Sequence, residues 1–428
     1  MQRLRPHLVL VLLLGACRCD EPPPEWPTRP AGGVRYLVEA AAPTGGVRAT
    51  ASTSDLSVPP REGDIGWWPD IAVGPQGIPH LSYTDAFNGE VHYAEWTGEG
   101  WDITPVDTYG AVGKYTAIAV DRAGRPHVLY YNQDERRLRY AVRVGAAYYD
   151  PKDRRRPYKS RKDWLYEIVD EGPEVGMAAR LLVAPDGTVH AVYYRHDEKL
   201  MHAVRPPTAP GQHVRWRLRT VDAKAGGSHS IVLGFLLAED GTLHLSYAHW
   251  TVFDSELRYG RLPPGADAWI TEPVTREHSA GWKSDLVLVD GRPFIVYLAL
   301  EKRRLMGALR GPDGWRRFPL VDAANTMHLE RLSGGGLVVA YEHLPGVGLE
   351  NARLQLLTRP DADGDLARGW TLETVDGGEM STYLSLAHAG DTPMVVYYDG
   401  NVRGVKLWSK APLPKVAEEG DTAEGGRP

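Results

Sequence analysis

Short apolar runs recur along this chain, separated by turns rich in Gly, Asp and Pro. The clearest run ends in tyrosine and occurs seven times, with successive tyrosines 44 to 63 residues apart. These residues are Tyr83, Tyr130, Tyr193, Tyr247, Tyr297, Tyr341 and Tyr397. The runs are rich in Val, Ile, Thr and Tyr and show no sustained 3.6-residue apolar period, so the pattern predicts β-strands.

Each repeat holds three further strand-like segments in a constant order. An apolar run such as Ile71–Val73 precedes the tyrosine strand, and a run such as Leu138–Ala141 follows it. A fourth segment opens with Trp, and five of the six such segments end in Val-Asp, as Val106-Asp107 does. Four strands in a repeat of this length are typical of one β-propeller blade.

Only six Trp-led segments serve seven repeats, because the last repeat stops near Lys410. Closing the circle of blades removes exposed sheet edges, so an N-terminal segment is expected to supply the missing outer strand. Val34–Glu39 is the candidate. The sequence thus predicts an all-β fold: a seven-bladed β-propeller of four-stranded antiparallel blades, with the ring closed by an N-terminal strand.

The N-terminus has the features of an export signal. An apolar run from Leu8 to Leu14 follows Arg3 and Arg5 and is too short to span a bilayer. The tetrapeptide Leu14-Gly15-Ala16-Cys17 resembles the lipobox of bacterial lipoproteins, which implies that Cys17 is lipidated and becomes the first mature residue.

The predicted organisation follows from these segments. It consists of a lipoprotein signal peptide at 1–16, a Pro-rich tether at 17–33, the propeller at 34–411 and a disordered acidic, Gly-rich tail at 412–428. A lipidated N-terminus predicts a membrane anchor in the cell envelope. Because Arg18 replaces the Asp associated with inner-membrane retention, the outer membrane is the expected location.

Composition narrows the classes of partner. The two cysteines, Cys17 and Cys19, both lie at the signal junction, so the folded part has neither a disulfide nor a cysteine metal site. A net charge of -6 argues against nucleic acid as a partner. We expect a monomer without a cofactor or a bound metal.

The repeat unit Asp121–Tyr131, followed by Leu138–Ala141, resembles the sialidase-like, BNR-repeat class of bacterial propellers. The resemblance extends over the repeats and implies the scaffold. A sialidase would also need an arginine triad, a Tyr-Glu pair, an acid/base Asp and an early Arg-Ile-Pro signature. That signature is missing, and the Arg-Pro pairs at Arg125 and Arg292 lie in predicted hairpin turns.

Candidate binding residues lie in loops that differ from blade to blade. The loops entering the innermost strands and those joining the second and third strands share one face in this connectivity, around the mouth of the central channel. Exposed aromatic residues there are costly unless a ligand stacks on them. The candidates are Trp67, Trp68, Tyr115, Arg195, His196, His249, Trp250, Trp282, His328, His343 and Tyr383.

The leading functional hypothesis is a non-catalytic, lipid-anchored binding protein that presents this face to a glycan or protein partner. The alternative is a carbohydrate-active enzyme, either a sialidase-like glycosidase or a polysaccharide lyase. A lyase would abstract a proton with a His or Tyr while an Arg neutralises a uronate. Arg195, His196, His249 and Tyr115 would serve in that case.

Three other features have mainly structural interpretations. Four histidines occupy one position in consecutive repeats, and we expect each to bond the backbone of a neighbouring blade; they are His80, His127, His190 and His244. The basic insertion at 148–164 is expected to be a solvated loop, with anionic lipid or polysaccharide as the alternative partner. Asp361–Asp365 resembles a calcium loop but lacks the later Glu ligand.

Overall fold

The computed structural model describes residues 22–40, 63–157, 160–172, 175–226, 232–250, 255–277, 279–346, 351–378 and 380–416. The predicted signal peptide, Cys17, Cys19 and most of the predicted tail lie outside these ranges. Among the described residues, no helix is both long enough and apolar enough to span a bilayer.

Seven blades of four antiparallel strands each form the ring. Six of them are built from four consecutive strands ordered from the channel outwards, and the seventh takes its outer strand from the N-terminal part of the chain. Blade 1 contains β3 (Ile65–Val73), β4 (Pro79–Asp85), β5 (Glu90–Trp96) and β6 (Trp101–Asp107); blade 2 contains β7 (Val112–Val120), β8 (Pro126–Asn132), β9 (Arg137–Arg143) and β10 (Trp164–Asp170). Blade 3 contains β11 (Val175–Val183), β12 (Val189–Arg195), β13 (Leu200–Arg205) and β14 (Arg217–Asp222); blade 4 contains β15 (Gly234–Leu237), β16 (Leu243–Trp250), β17 (Ser255–Leu262) and β18 (Ile270–Thr275).

Blades 5 to 7 follow the same plan. Blade 5 contains β19 (Ala280–Val289), β20 (Arg292–Ala299), β21 (Arg304–Gly311) and β22 (Gly314–Val321); blade 6 contains β23 (Ala324–Arg331), β24 (Leu337–His343), β25 (Arg353–Arg359) and β26 (Thr371–Gly377). Blade 7 contains β27 (Met380–Ala389), β28 (Thr392–Asp399), β29 (Gly404–Ser409) and β2 (Val34–Ala40). The predicted fold class is confirmed.

The N-terminal strand closes the circle as predicted. β2 pairs antiparallel with β29, from Val34 opposite Ser409 to Ala40 opposite Gly404. Part of the predicted tether is also structured, since β1 (Thr28–Pro30) runs parallel to β26 on the outer edge of blade 6. At the other end, Leu413, within the predicted tail, is buried against the cluster shared by blades 7 and 1.

The apolar core is divided between the blade interfaces. Buried apolar side chains of the described residues form seven clusters, each spanning neighbouring blades. The Trp that opens an outer strand packs on the third strand of the preceding blade, as Trp164 does on Tyr93 and Trp216 on Tyr140. Each buried aromatic ring removes about 150–250 Å² from water, worth roughly 4–6 kcal/mol before entropy costs.

In five blades the repeated tyrosine links its blade to the preceding one. Its hydroxyl donates to the carboxylate at the end of the preceding outer strand, as Tyr130 does to Asp107 at 2.8 Å, whereas Tyr341 donates to Gln355 of its own blade at 2.6 Å. Tyr83 donates to Glu39 of β2 at 2.6 Å, so Val38-Glu39 takes the place of a Val-Asp pair. Because this contact recurs at the same position in several blades, the sequence repeats both the tyrosine and the carboxylate.

The repeated histidines have structural contacts, but the predicted partner was wrong. His80 Nδ1 lies 2.6 Å from the Tyr93 hydroxyl, and His244 Nδ1 lies 2.6 Å from the Tyr259 hydroxyl. Each partner is a side chain of the next strand in the same blade. His80 is paired with Glu95 and His244 with Arg261, and each tyrosine lies two residues before that paired residue, as the diagonal neighbour on the same sheet face.

Candidate functional site

Four aromatic side chains from three blades meet at the mouth of the channel, and we call them the mouth cluster: Trp67, Trp68, Tyr115 and Tyr383. Trp68 is central, with its ring centroid 5.3 Å from that of Tyr383 and 5.5 Å from those of Tyr115 and Trp67. Trp67 and Tyr383 are 5.7 Å apart. The structure therefore brings together four candidates that are far apart in the sequence.

We predicted these aromatics on the loops that enter the innermost strands, but they lie within the strands themselves: Trp67 and Trp68 in β3, Tyr115 in β7 and Tyr383 in β27. The ladder between β3 and β4 shifts register between Trp67 and Asp70, and Trp68 takes a left-handed backbone with φ of 47°. Tyr115 sits in the equivalent shift of β7 with φ of 57°. Such β-bulges redirect side chains, here towards the channel mouth.

A neighbouring blade fixes this strained backbone. The Thr116 hydroxyl donates to the carbonyl of Trp68 at 2.6 Å, and the Ser82 hydroxyl donates to Thr116 at 3.1 Å. Trp67, Trp68 and Tyr383 remain half-buried, whereas Tyr115 is buried. The cluster is thus a fixed surface with aromatic area still open.

Below the mouth, one equivalent residue of each innermost strand faces its counterparts. Each pairs with the residue immediately before the repeated tyrosine, and we call the set the axial ring: Asp70, Ala117, Arg180, Gly234, Asp285, His328 and Ser385. It lies two residues beyond Trp68, about 7 Å along the strand. His328 was predicted on an entering loop and instead belongs to this ring.

The guanidinium of Arg180 connects opposite sides of the axial ring. One of its nitrogens lies 3.1 Å from His328 Nδ1, and another lies 3.8 Å from Asp70. Asp285 lies 3.2 Å from the same Nδ1 atom of His328, and Ser385 donates to Asp70 at 2.6 Å. Burial, and then the charge of Arg180, lower the pKa of His328, so this imidazole is neutral at neutral pH.

The axial ring also satisfies the free edges of innermost strands. Asp70 accepts the backbone N–H of Ile118 at 2.9 Å, and Asp285 accepts that of Leu329 at 3.1 Å. Arg180 Nε donates to the carbonyl of Leu233 at 3.0 Å. Each bond joins a blade to the next, so these charges compensate strand edges that have no fifth strand to pair with.

A second pair of candidates lies on blades 4 and 5. The rings of Trp250 and Trp282 are 4.3 Å apart, and Trp250 packs against the same apolar cluster as Trp68. Next to Trp282, burial lowers the pKa of Lys283 to about 8. Burial raises the pKa of Glu342 to about 7, and Asn325 donates to Glu342 at 2.8 Å.

The remaining candidates contact carboxylates or other framework groups. Arg195 lies 3.6 Å from Asp170, and His249 lies 2.9 Å from Asp222, the residues that end the preceding outer strands. His196 is exposed in the turn after β12. His343 is half-buried, with its ring 6.4 Å from that of Tyr341. These four residues lie outside the mouth cluster.

Sequence reasoning missed the central charges of the axial ring. Arg180 has no counterpart in the other repeats, and Asp recurs only as Asp70 and Asp285, which is too seldom to mark the position as part of the repeat. The one available signal is a charged residue at a position where the other repeats have Ala, Gly, His or Ser.

One carboxylate and histidine group has the spacing of a metal site. Ligand atoms of Asp85, Glu90 and His92 lie within 4.8 Å of one another. Protein groups already occupy them, because His92 contacts Glu90 at 3.2 Å and Glu39 at 3.1 Å, while Asp85 accepts backbone N–H groups of its own turn. We assign no cation to this group.

The two unusual loops use their charges internally. In the 148–164 insertion, Arg156 lies over the rings of Tyr149 and Tyr166, at 4.7 and 5.2 Å. Arg155 and Arg161 pair with Asp153 and Asp163 of the same insertion. In the 361–365 loop, Asp365 pairs with Arg316 at 2.7 Å and Asp361 lies 3.6 Å from Arg359, so both carboxylates have arginine partners.

Comparison with models of known protein families gives no match, and comparison with curated proteins gives none. Among solved structures, the chain is similar to an ulvan lyase from a new polysaccharide lyase family, with 12% identity, a TM-score of 0.52 and coverage of 80% of this chain and 93% of the lyase. It is also similar to a lectin from Aleuria aurantia, with 13% identity, a TM-score of 0.43 and coverage of 69% and 90%. A Hadza microbial sialidase shares 12% identity with a TM-score of 0.42, and the match covers 81% of this chain and 65% of the sialidase.

The seven closed blades define the class as a seven-bladed β-propeller, and the similarity to the lyase structure agrees with that fold. At 12% identity this similarity describes a scaffold. Function has to be argued from the side chains of this chain.

Proposed function

We propose that the mouth cluster binds a sugar ring of a glycan, and that the protein is a non-catalytic, lipid-anchored glycan-binding protein of the cell envelope. The observation that carries the proposal is that the rings of Trp67, Trp68 and Tyr383 meet on one partly exposed surface. Pyranose rings present C–H faces that stack on aromatic rings, and a rigid aromatic surface loses little entropy on binding.

Polar groups around the cluster would bond the hydroxyls of a stacked sugar. Arg180 and His328 of the axial ring lie one layer below, and Lys283 lies at the mouth on blade 5. The pKa of Lys283, about 8 because of burial, leaves the amine mostly charged at neutral pH. A mouth with an aromatic wall and a few polar groups is typical of small-ligand sites.

Anchoring through Cys17 rests on the sequence, since that residue lies outside the described ranges. Export with lipidation predicts that cells fed a labelled fatty acid label the full chain, and that Cys17→Ala abolishes the label. Fractionation of the labelled envelope then tests the outer-membrane location. Label in the Cys17→Ala protein would overturn this part of the proposal.

Binding is tested on the full chain purified in detergent, with neutral, sulfated, uronate-rich and sialylated polysaccharides as probes. Trp68→Ala and Tyr383→Ala are expected to weaken binding roughly tenfold each, since each removes a stacking surface. Tyr148→Ala is the matched control, because Tyr148 is 47% exposed on the distant insertion. Unchanged binding in both mouth variants would place the site elsewhere.

The same incubations test the enzymatic alternative. A lyase would release an unsaturated product, and a sialidase would release free sialic acid. Either product, formed by the unaltered protein and lost in Arg180→Met, would overturn the non-catalytic part of the proposal while keeping the site.

A further inference from the structure

A cleft of about 1060 Å³ opens between blades 4 and 5 on the face opposite the mouth cluster. The two blades approach closely at the mouth side. There the Val232 N–H donates to the carbonyl of Trp282, and the carbonyl of Val232 accepts from the Ser284 N–H, both at 3.0 Å. Gly234 faces Asp285 and Leu286 there without room for a side chain. The cleft begins beyond this contact, and we call it the inter-blade cleft.

The inter-blade cleft runs from the channel axis to the rim of the propeller. Glu330 and His388 lie at its inner end, Leu236 and Val287 form its walls, and Glu272 and Arg310 lie at its outer end. It crosses the four strands of a blade, a distance of about 15 Å at the usual strand spacing. A ligand filling it would be extended, like a short oligomer.

The inner end offers one donor and one acceptor at a spacing that suits a bridging hydroxyl. His388 Nδ1 lies 2.9 Å from the carbonyl of Gly390 and so carries the proton, which leaves Nε2 as an acceptor. Nε2 lies 3.6 Å from Glu330, beyond direct hydrogen-bond distance. A ligand hydroxyl can accept from one of these groups and donate to the other.

Glu330 is suited to act as a neutral donor in this position. Burial, and then the charges of Asp285 and Asp70, raise its pKa to about 8 against the opposing charge of Arg180, so the carboxyl is mostly protonated at neutral pH. About a third of its side chain, 34%, remains open. A protonated carboxyl can both donate and accept, as sugar hydroxyls do.

The outer end presents charges of both signs that already compensate each other. Glu272 accepts from Arg310 at 2.7 Å and from the Trp315 indole at 2.9 Å. Along the wall, the Tyr259 hydroxyl and His244 form a neutral hydrogen-bonded pair at 2.6 Å. The rest of the lining carries two acidic and two basic residues, Glu239, Asp240, Arg261 and Arg331, so the cleft has no excess of one sign of charge. This balance favours an uncharged ligand with many hydroxyls.

We infer that the inter-blade cleft binds a segment of an uncharged oligosaccharide, whose hydroxyls bond Glu330 and His388 at the inner end. This is a second site, independent of the proposed mouth site and on the opposite face. A propeller with both sites would hold two glycan segments at once.

The test uses the full chain in detergent and measures calorimetric binding of neutral hexasaccharides of glucose, xylose and N-acetylglucosamine. Glu330→Leu and Leu236→Trp are expected to lower affinity at least tenfold, the first by removing the donor and the second by filling the cleft. Glu330→Gln keeps a neutral donor and acceptor, so it should bind within about threefold of the unaltered protein at pH 7. Near-ultraviolet circular dichroism checks that each variant is folded.

The pH profile separates a ligand contact from a framework role. Binding to the unaltered protein should weaken as pH rises through about 8, when Glu330 loses its proton, whereas Glu330→Gln should be insensitive to pH there. Trp68→Ala, which tests the mouth site, should leave cleft binding unchanged. The proposal is overturned if no hexasaccharide binds, or if the cleft variants bind as well as the unaltered protein. It is also overturned if peptides bind in the cleft and the hexasaccharides do not displace them.

Discussion

The guanidinium of Arg180 in blade 3 lies 3.1 Å from the imidazole of His328 in blade 6, on the other side of the central channel. The channel is therefore bridged at the level of the axial ring. Asp70 lies 3.8 Å from Arg180 and Asp285 lies 3.2 Å from His328, so each member of this contact also has a carboxylate neighbour. The bridge makes a floor beneath the mouth cluster and links blades that are remote in the sequence.

Arg180→Met is expected to destabilise the protein by about 2–4 kcal/mol, because it leaves buried carboxylates without their counter-charge. Urea denaturation at pH 7 measures this cost. Arg122→Met, on an exposed turn of blade 2, is the control and should change stability by less than about 0.5 kcal/mol.

A second measurement on Arg180→Met separates lost charge from lost packing. Removing the neighbouring cation should raise the pKa of His328, which burial and Arg180 keep low in the unaltered protein. Proton NMR titration of the imidazole follows this change. A stability loss without a rise in that pKa would mean that Arg180 acts through packing alone.

Glu39→Gln is expected to weaken the closure of the circle in a pH-dependent way. Burial lowers the pKa of His92, but its bonds to Glu39 and Glu90 outweigh burial and raise it overall. Burial likewise raises the pKa of Glu39, and its bonds to His92 and Tyr83 outweigh that effect and lower it. The ion pair is thus present above the folded pKa of Glu39 and below that of His92.

The stability difference between the unaltered protein and Glu39→Gln should therefore be largest near pH 6, at about 1–2 kcal/mol. It should shrink as pH rises through the pKa of His92 and as it falls through the pKa of Glu39. Denaturation curves between about pH 4 and pH 9 measure it. Asp102→Asn, an exposed carboxylate of β6, should give a flat difference across this range.

The repeats allowed the fold to be predicted from the sequence, whereas the geometry of the candidate site depends on residues at which the repeats differ. Seven tyrosine strands and six Trp-led strands predicted the missing outer strand, and Glu39 fills the carboxylate position that Tyr83 requires. The mouth cluster was predicted as a set of residues, because aromatics near entering loops can be read from the sequence. Its geometry depends on the left-handed backbone at Trp68 and Tyr115, which no residue type there signals.

The axial ring could not be read in the same way. Arg180 has no counterpart in the other repeats, and its contact with His328 joins residues that no local pattern relates. The inter-blade cleft depends on the unequal approach of two neighbouring blades, which is a property of packing. Periodicity predicts the features that all blades have in common, whereas the candidate sites depend on residues and packing that differ between blades.

Two equivalent carboxylates at blade ends should respond oppositely to amidation. Burial raises the pKa of Asp107, so its charge costs stability at neutral pH. Burial also opposes ionisation of Asp222, but bonds from His249, Lys224 and Tyr247 outweigh it and lower its pKa to about 2. Asp222→Asn should therefore cost about 1–2 kcal/mol at pH 7, whereas Asp107→Asn should be neutral or stabilising.

The cost of Asp222→Asn should disappear as pH falls from about 4 towards 2, because the unaltered carboxylate is then protonated as well. Thermal denaturation of both variants across this range provides the measurement. Equal losses for the two variants at pH 7 would show that the tyrosine contact, common to both sites, decides the outcome and that the surrounding charges do not.

Gly234→Ala tests the close approach that separates the mouth side of blades 4 and 5 from the inter-blade cleft. A Cβ at this position would lie 2.7 Å from the Leu286 nitrogen and 2.8 Å from the Asp285 Cα, both backbone atoms that cannot rotate away. Because the two innermost strands would have to separate, we expect a loss of about 2–4 kcal/mol, measured by urea denaturation. Gly100→Ala is the matched control, since a Cβ there meets no atom within 4 Å and its backbone is not left-handed. If Gly234→Ala proved as stable as Gly100→Ala, the backbones of blades 4 and 5 would have to be mobile relative to each other, and the boundary of the cleft would not be fixed.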